Sequence, residues 1–214
     1  MEENARIARN TQRLTELHPG FAQRLRSIIA ALEAQGVRPR IEDAWRSPAD
    51  QLKAFNSGNS KLQFGFHNVT GPDGQPESLA VDLLDDDSPL TSRREYLLRL
   101  AAAAASAHCQ TGVAWGLPPA LREAVATAIA SGNFTANVKI GWDPTHVEPA
   151  DITVAQARTG ARPTASGAPT RSRSRRAGAT RGTRKTRRTG KTRRTGKKTR
   201  GTSKVKAKKT RRRG

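Results

Sequence analysis

The sequence predicts an α+β fold in which a small antiparallel sheet is flanked by helices. Apolar residues recur at helical spacing in five segments, whereas only three short stretches have the character of strands. The helices are segregated from these few strands, which favours a small antiparallel sheet. The predicted helices cover residues 5–17, 21–35, 48–55, 91–108 and 118–131, and the predicted strands cover residues 37–44, 79–84 and 138–142.

Several residues mark the ends of the predicted helices. A His-Pro-Gly turn at residues 18–20 separates the first two helices, and Gly36 ends the second. Ser47 precedes a proline, so its side chain is expected to cap the third helix. We expect His18 to cap or pack at its turn, and His108 to lie at a helix C-terminus where a partly cationic imidazole is favourable.

The chain divides into two parts of opposite charge. Residues 1–151 contain 15 basic and 18 acidic residues, whereas residues 152–214 contain 24 Lys and Arg and no carboxylate. The first part is long enough for one domain with its own core. The second, rich in Thr, Gly, Arg and Lys, cannot bury enough apolar surface to offset the entropy of ordering. We expect a folded domain at residues 1–152 and a disordered basic tail at residues 153–214.

Three simple features bear on the compartment. The single cysteine, Cys109, excludes an internal disulfide framework and is expected to be a small buried residue. The N-terminus is acidic and lacks the apolar core of a signal peptide, and no stretch has the length and apolarity of a membrane span. We expect a monomer that is synthesised in the cytoplasm.

The aspartates at residues 85–87 lack calcium-loop spacing and are expected to form a solvated turn.

Residues 141–149 hold the densest group of chemically active side chains. Asp143, His146 and Glu148 lie within six positions, on a segment that two prolines keep out of a helix. Asp143 is suited to act as a general base that passes a proton to a leaving amine. Glu148 competes for this role, or it orients a neighbouring imidazole. The alternative is that all three are ordinary polar residues in turns.

Two residues upstream complete a candidate metal site. The turn-forming residues 70–76 lie between His67 and Asp82 and allow these side chains to be neighbours. We expect His67, Asp82 and His146 to hold one metal ion. Two imidazoles and one carboxylate suit a catalytic zinc ion, with a fourth position left open for water. Arg46, at the end of a predicted strand, is either a surface ion pair or a fixed cation for a substrate carboxylate or developing oxyanion.

The order of these residues resembles that of a known enzyme family. The residues that carry the resemblance are Arg46-Ser47 with Gln51, then His67, then Ala80-Val81-Asp82, then Trp115-Gly116, and finally Asp143-x-x-His146-x-Glu148. This order is similar to the M15 family of zinc peptidases, which includes D-alanyl-D-alanine carboxypeptidases and dipeptidases and phage L-alanoyl-D-glutamate endopeptidases. The resemblance covers roughly residues 10–150, and the ordered set is more specific than any of its parts.

The resemblance implies a fold and a role for each matching residue. The implied fold is the small α+β fold that also occurs in hedgehog signalling domains. The implied roles are one zinc ion on His67, Asp82 and His146, a base at Asp143, and substrate binding by Ser47 and Gln51. Arg46 is implied to bind substrate or to stabilise the transition state. The sequence departs from the family pattern with Gly65 in place of serine, Ser78 in place of glycine, a longer loop at residues 68–77 and an insertion at residues 117–135.

The basic tail is expected to bind anionic polymers. It contains a near repeat, residues 186–191 and 192–197, and no aromatic side chain, so base stacking is absent and any attraction is to polyanions in general. Nucleic acid, lipopolysaccharide, teichoic acid and an acidic membrane surface all fit this charge. A solubilising tail without a partner is the alternative.

The sequence favours a zinc peptidase that acts at the bacterial cell wall and hydrolyses a bond in the peptidoglycan stem peptide. Either an L-Ala-D-Glu bond or a D-Ala-D-Ala bond fits the resemblance. One alternative is a polyanion-binding protein whose folded part has lost catalysis. Another is a non-haem iron oxygenase, whose ligands normally begin with a closely spaced His-x-Asp that His67 and Asp82 do not provide.

Overall fold

The computed structural model describes residues 1–58 and 60–167 and confirms the α+β fold. All five predicted helices are present, with their ends shifted by a few residues. The helices are α1 Glu3–Leu14, α2 Pro19–Glu33, α3 Pro48–Asn56, α4 Arg94–Ser106, α5 Pro119–Ala130 and α6 Val154–Arg158. The strands are β1 Pro39–Asp43, β2 Val81–Asp85, β3 Cys109–Thr111 and β4 His146–Pro149, and short 3₁₀ turns cover Phe66–Asn68 and Gly112–Ala114.

The four strands form one antiparallel sheet in the order β1-β2-β4-β3. In β2, Val81 and Leu83 are fully buried, and because side chains alternate along a strand, Asp82 points to the opposite face. Asp82 is paired directly with His146 of β4. The sheet register therefore places two of the three expected metal ligands side by side.

The hydrophobic core is built by the helices and the inner side of the sheet. α2 packs against α4, and these helices contact the sheet through β1 and β3 respectively. Apolar side chains at helical spacing in α2 and alternating positions in β2 supply most of the fully buried volume. The largest fully buried apolar residues include Phe21, Leu25, Ile28, Leu32, Ile41, Leu79, Leu83, Leu98 and Leu100.

The strand expected at residues 138–142 is wrong. This segment joins no strand of the sheet; instead Gly141 N donates to Val113 O at 2.7 Å and Trp142 N donates to Trp115 O at 3.2 Å. The last two strands of the sheet are β4, which pairs with β2, and β3, which forms the edge, and neither was expected. Both strands are very short, and β4 ends at Pro149, which is paired with Cys109 of β3. Neither strand therefore has a clear alternating pattern.

The aspartates at residues 85–87 do not form a fully solvated turn. Asp85 and Asp86 are buried, and Asp86 lies within 3.3 Å of Arg38, Arg40 and the amino group of Met1. The compensating arginines lie in or beside β1, more than forty positions upstream. Because this pairing depends on the β1-β2 register, local composition did not reveal it.

The folded part extends past Ile152, so the boundary expected between residues 152 and 153 is too early. α6 buries Ala157, and Arg162 Nε donates to Glu77 Oε2 at 3.0 Å. The rest of the expected tail, residues 168–214, lies outside the described residues. Within residues 1–58 and 60–167, no helix combines the length and apolarity needed to cross a membrane.

Candidate metal centre and cleft

The third expected ligand, His67, reaches the sheet from the Phe66–Asn68 turn. Two backbone hydrogen bonds fix this turn against neighbouring segments: Arg46 N donates to His67 O at 2.9 Å and Leu79 N donates to Phe66 O at 3.0 Å. The Asn68 amide also donates to Arg46 O at 2.9 Å. The turn therefore holds His67 beside the Asp82–His146 pair.

Three candidate ligand atoms converge on one point. His67 Nε2 lies 3.3 Å from His146 Nδ1 and 3.9 Å from Asp82 Oδ1, and His146 Nδ1 lies 3.4 Å from Asp82 Oδ1. Ligands about 2.0–2.2 Å from a tetrahedral zinc ion lie about 3.3–3.5 Å apart. Two of these three distances match that spacing, and the His67–Asp82 distance of 3.9 Å is somewhat longer. His67, Asp82 and His146 can together hold a metal ion.

The second ring nitrogen of each histidine has its own acceptor. His67 Nδ1 donates to Ala44 O at 2.5 Å, and His146 Nε2 lies 3.1 Å from Glu148 Oε2. These contacts direct His67 Nε2 and His146 Nδ1 inward as lone-pair donors. Glu148 therefore stands behind His146 as an orienting carboxylate, and its other oxygen accepts from Gln110 Nε2 at 2.7 Å.

The donor set fits a divalent cation better than it fits a hydrogen-bonded cluster. Asp82 Oδ1 is buried and accepts no hydrogen bond of good geometry, although it faces both imidazoles. A buried carboxylate oxygen without a partner is costly, whereas a cation between the three groups would satisfy it. Two imidazole nitrogens and one carboxylate oxygen are the ligand types that zinc accepts.

Electrostatics link the three groups. Burial lowers the pKa of His67. Burial alone would also lower the pKa of His146, but the neighbouring carboxylates of Asp82 and Glu148 outweigh it and raise this pKa to about 9. Burial alone would raise the pKa of Asp82, yet the two histidines hold it below its usual range. His146 therefore binds a proton more readily than His67.

Asp143 lies beside the cluster on a strained backbone. Its Oδ2 is 4.0 Å from His146 Nδ1, and burial raises the pKa of its carboxyl group, which makes the carboxylate a better proton acceptor. Its φ of 57° is in the left-handed region that non-glycine residues seldom adopt. The conformation is set by close backbone packing, because a Cβ added to Gly112 would overlap the carbonyl oxygen of Asp143.

The three residues expected to bind substrate have different environments. Arg46 lines the cleft, and its guanidinium donates to Asp43 Oδ2 at 2.6 Å and to Gln51 Oε1 at 3.1 Å. Gln51 also lines the cleft but is only 3% exposed, and its amide is bonded to other protein groups. Ser47 is not among the residues that line the cleft; as expected, it caps α3 by accepting from Asp50 N at 3.1 Å.

The candidate metal centre opens into a cleft of about 420 Å³. Trp115 packs between His146 and Trp142, with ring centroids 5.4 and 5.2 Å away. Trp142 is 49% exposed, and the ammonium group of Lys61 lies 4.8 Å from its ring centroid. Sequence reasoning gave Lys61 and Trp142 no role. The position of Trp142 directly before Asp143 could have indicated a place in the cleft. Lys61 lies in a polar loop, and nothing in the local sequence distinguishes it from other surface lysines.

The other histidines and the cysteine lie outside this cleft. His18 caps α2, since its Nδ1 accepts from Gly20 N at 3.2 Å, as the sequence predicted. His108 follows the end of α4 with a φ of 55°. Cys109 is buried, and burial raises the pKa of its thiol to about 12, so it is a packing residue rather than a nucleophile.

The chain was compared with family models, curated proteins and solved structures. No family model and no curated protein matches the chain. Among solved structures, the chain is similar to the L-Ala D-Glu endopeptidase ChiX of Serratia marcescens, with a TM-score of 0.44 and 19% sequence identity. The match covers 66% of this chain and 86% of that one.

Proposed function

We propose that this protein is a zinc-dependent peptidase that hydrolyses a peptide bond in the stem peptide of peptidoglycan. The observation that carries the proposal is the convergence of His67, Asp82 and His146, which come from three separate segments, at the base of an open cleft that also contains Asp143. The ordered motif that resembles the M15 zinc peptidases supports the same chemistry.

The candidate ligands, Asp143 and Arg46 each have a role in this reaction. His67, Asp82 and His146 would hold a zinc ion, which would supply Lewis acidity toward a peptide carbonyl and a water molecule. Asp143 accepts a proton from the attacking water and delivers it to the leaving amine, a role suited to its raised pKa. Arg46 stabilises the negative charge that develops on the carbonyl oxygen, because Asp43 and Gln51 hold its guanidinium in place.

The basic tail extends the proposal from the reaction to its location. With 24 basic residues and no carboxylate, residues 152–214 would concentrate the enzyme on an anionic polymer of the cell envelope, such as lipopolysaccharide or teichoic acid. Nucleic acid is the alternative polyanion. A polyanion-binding protein without catalysis remains the second candidate function, and the tail is the feature that favours it.

The reaction is tested with purified full-length protein and isolated peptidoglycan, by measuring the release of new amino termini. We expect release that is abolished by a chelator and restored by zinc, and that is lost in His146→Ala and Asp143→Ala. His18→Asn is the matched control, because it removes an imidazole outside the cleft and keeps an acceptor for the helix cap.

Two further measurements separate the parts of the proposal. Metal analysis should find about one zinc ion per chain in the wild type and in Asp143→Ala, and none in His146→Ala. Mass spectrometry of products from defined muropeptides identifies the bond. Equal release of amino termini from the wild type, the chelated protein and both variants would contradict a metallopeptidase.

A further inference from the structure

The cleft contains more carboxylates than Lys and Arg side chains, and the proposed reaction gives Lys61 no role. Three carboxylates line the cleft: Asp82 is a candidate metal ligand, and Asp143 and Glu148 lie 4.0 and 3.1 Å from ring nitrogens of His146. The described cations that line it are Arg46 and Lys61. With Asp82 engaged by the proposed zinc ion, Asp143 and Glu148 would still repel an anionic group of a substrate unless one of these cations receives it.

The two cations differ in their partners. Arg46 is already paired, because its Nη2 lies 2.6 Å from Asp43 Oδ2. Among the residues that the structure describes, no carboxylate lies within ion-pair distance of Lys61; its ammonium group is placed instead over the ring of Trp142. An ammonium group on an aromatic face keeps its charge and its hydrogen-bond donors available to a ligand.

A buried residue holds the chain on both sides of Lys61. Gln51 Nε2 donates to Ser60 Oγ at 2.8 Å and to Leu62 O at 2.5 Å, the two residues on either side of Lys61. The same amide accepts from Arg46 Nη1 at 3.1 Å. The buried Gln51 side chain thus contacts Arg46 and both neighbours of Lys61. Its proposed role is to position these two cations rather than to bind substrate.

We propose that Lys61, supported by Trp142, binds the free carboxylate of the residue that supplies the leaving amine. This inference rests on the proposed function and narrows it. In both candidate bonds that residue carries a free α-carboxylate: D-Glu is linked through its γ-carboxyl group, and the terminal D-Ala ends the chain. Lys61 can receive this carboxylate more readily than Arg46, because no described carboxylate of the protein competes for its ammonium group.

The test compares substrates with and without the charge. Wild type, Lys61→Met and Lys61→Arg are assayed on a pair of synthetic stem peptides that differ only in a free or an amidated carboxylate at that residue. We expect Lys61→Met to raise KM on the free acid about tenfold and to leave kcat within about twofold, since it removes one charge-assisted contact. On the amidated peptide it should change nothing, and Lys61→Arg should retain most of the selectivity.

A matched lysine controls for loss of surface charge. Lys53 on α3 is 80% exposed, is paired with Asp50 and does not line the cleft, so Lys53→Met should not distinguish the two peptides. Gln51→Glu should reduce selectivity as Lys61→Met does, because a carboxylate cannot donate to Leu62 O. An equal effect of Lys61→Met on both peptides would overturn the assignment.

A binding measurement tests the role of Lys61 independently of the proposed reaction. In Asp143→Ala, which retains all three metal ligands, calorimetry measures the affinity for the free and amidated peptides directly. A preference of about tenfold for the free acid that disappears on adding Lys61→Met supports the inference, even if no cleavage of peptidoglycan is found. An absence of preference overturns it, even if the enzyme is active.

Discussion

At the scale of single residues, Asp143 combines a reactive carboxylate with an unfavourable backbone. Its φ of 57° costs an L-residue free energy that glycine does not pay, although aspartate tolerates this region better than most residues. Strain of this kind persists where surrounding contacts determine the conformation, and it is concentrated at functional sites. The strained backbone is therefore independent support for a functional role of Asp143.

The strain predicts an unusual order of stability for two variants. Asp143→Gly should be about 1 kcal/mol more stable than Asp143→Ala, because alanine is disfavoured at positive φ and glycine is not. Both should lack peptidase activity. Urea unfolding measures the difference. The comparison is Ala124→Gly at an exposed position inside α5, where the sign is reversed and glycine costs about 1 kcal/mol. Equal stability of the two Asp143 variants would argue against strain.

At the scale of elements, the 3₁₀ turn Gly112–Ala114 supports Asp143, the proposed base. Gly112 lies against the backbone of Trp142 and Asp143, and Gly141 lies against Trp115, so neither position has room for a Cβ. Two hydrogen bonds tie the segments together, Gly141 N to Val113 O and Trp142 N to Trp115 O. Asp143 is therefore placed by backbone packing from another element.

Gly112→Ala should displace Asp143 without removing a chemical group. We expect a loss of about 1–3 kcal/mol from overpacking and at least a tenfold fall in kcat, with zinc content unchanged because the three ligands lie on other segments. The control is Gly36→Ala, where φ is +75° and no atom lies within 4 Å of the added Cβ. It should cost about 1 kcal/mol and leave kcat unchanged. Wild-type kcat in Gly112→Ala would exclude this role for the turn.

At the scale of the whole molecule, a buried ion pair joins the two ends of the folded part. Arg24 of α2 is 2% exposed, and its guanidinium donates to both oxygens of Asp151 at 2.8 Å and to the carbonyls of His108 and Thr164. These contacts hold the segment after β4, and the residues that follow α6, against the core.

This pair predicts a pH-dependent loss of stability. Burial alone would raise the pKa of Asp151, but hydrogen bonds from Arg24 outweigh it and hold the pKa below the usual value. The stabilisation is therefore complete above the unfolded pKa of about 4 and is lost as the pH falls through the lower folded pKa.

The predicted change is Asp151→Ala, which leaves Arg24 buried without its partner. It should cost about 3 kcal/mol or more at pH 7, and its difference from wild type should shrink below about pH 4. Denaturant unfolding at a series of pH values measures this. The exposed Asp73→Ala should stay within about 0.5 kcal/mol throughout. A difference that is constant from pH 7 to pH 3 would contradict the linkage.

The charge division of the chain predicts separable functions. A chain that ends at Gly167 keeps α6 and the contacts of Arg162 and Thr164, so it should unfold like the full-length protein and cleave small muropeptides at an equal rate. It should lose binding to lipopolysaccharide, teichoic acid and nucleic acid. Binding by the full chain should weaken steeply with salt, since tail charges release counterions. Polyanion binding that is unchanged by truncation would place the binding surface on the folded part.

Much of the fold and the three metal-ligand candidates were predictable from sequence. Helices follow from periodicity and end signals that lie within a few residues of each other, as at His18 and Ser47. The spacing of His67, Asp82 and His146, with turn-forming residues between the first two, was enough to expect a shared site. Opposite charge in the two parts of the chain was also visible directly in the composition.

Only the tertiary structure decided which groups neighbour these residues. The β2-β4 register pairs Asp82 with His146, although β4 is too short to have a recognisable pattern. Gln51 is buried and hydrogen-bonded to Arg46, Ser60 and Leu62, and Lys61 lines the cleft. Local sequence determines conformations with short-range causes, whereas burial, backbone packing and the pairing of charges arise between segments far apart in the chain and depend on the assembled fold.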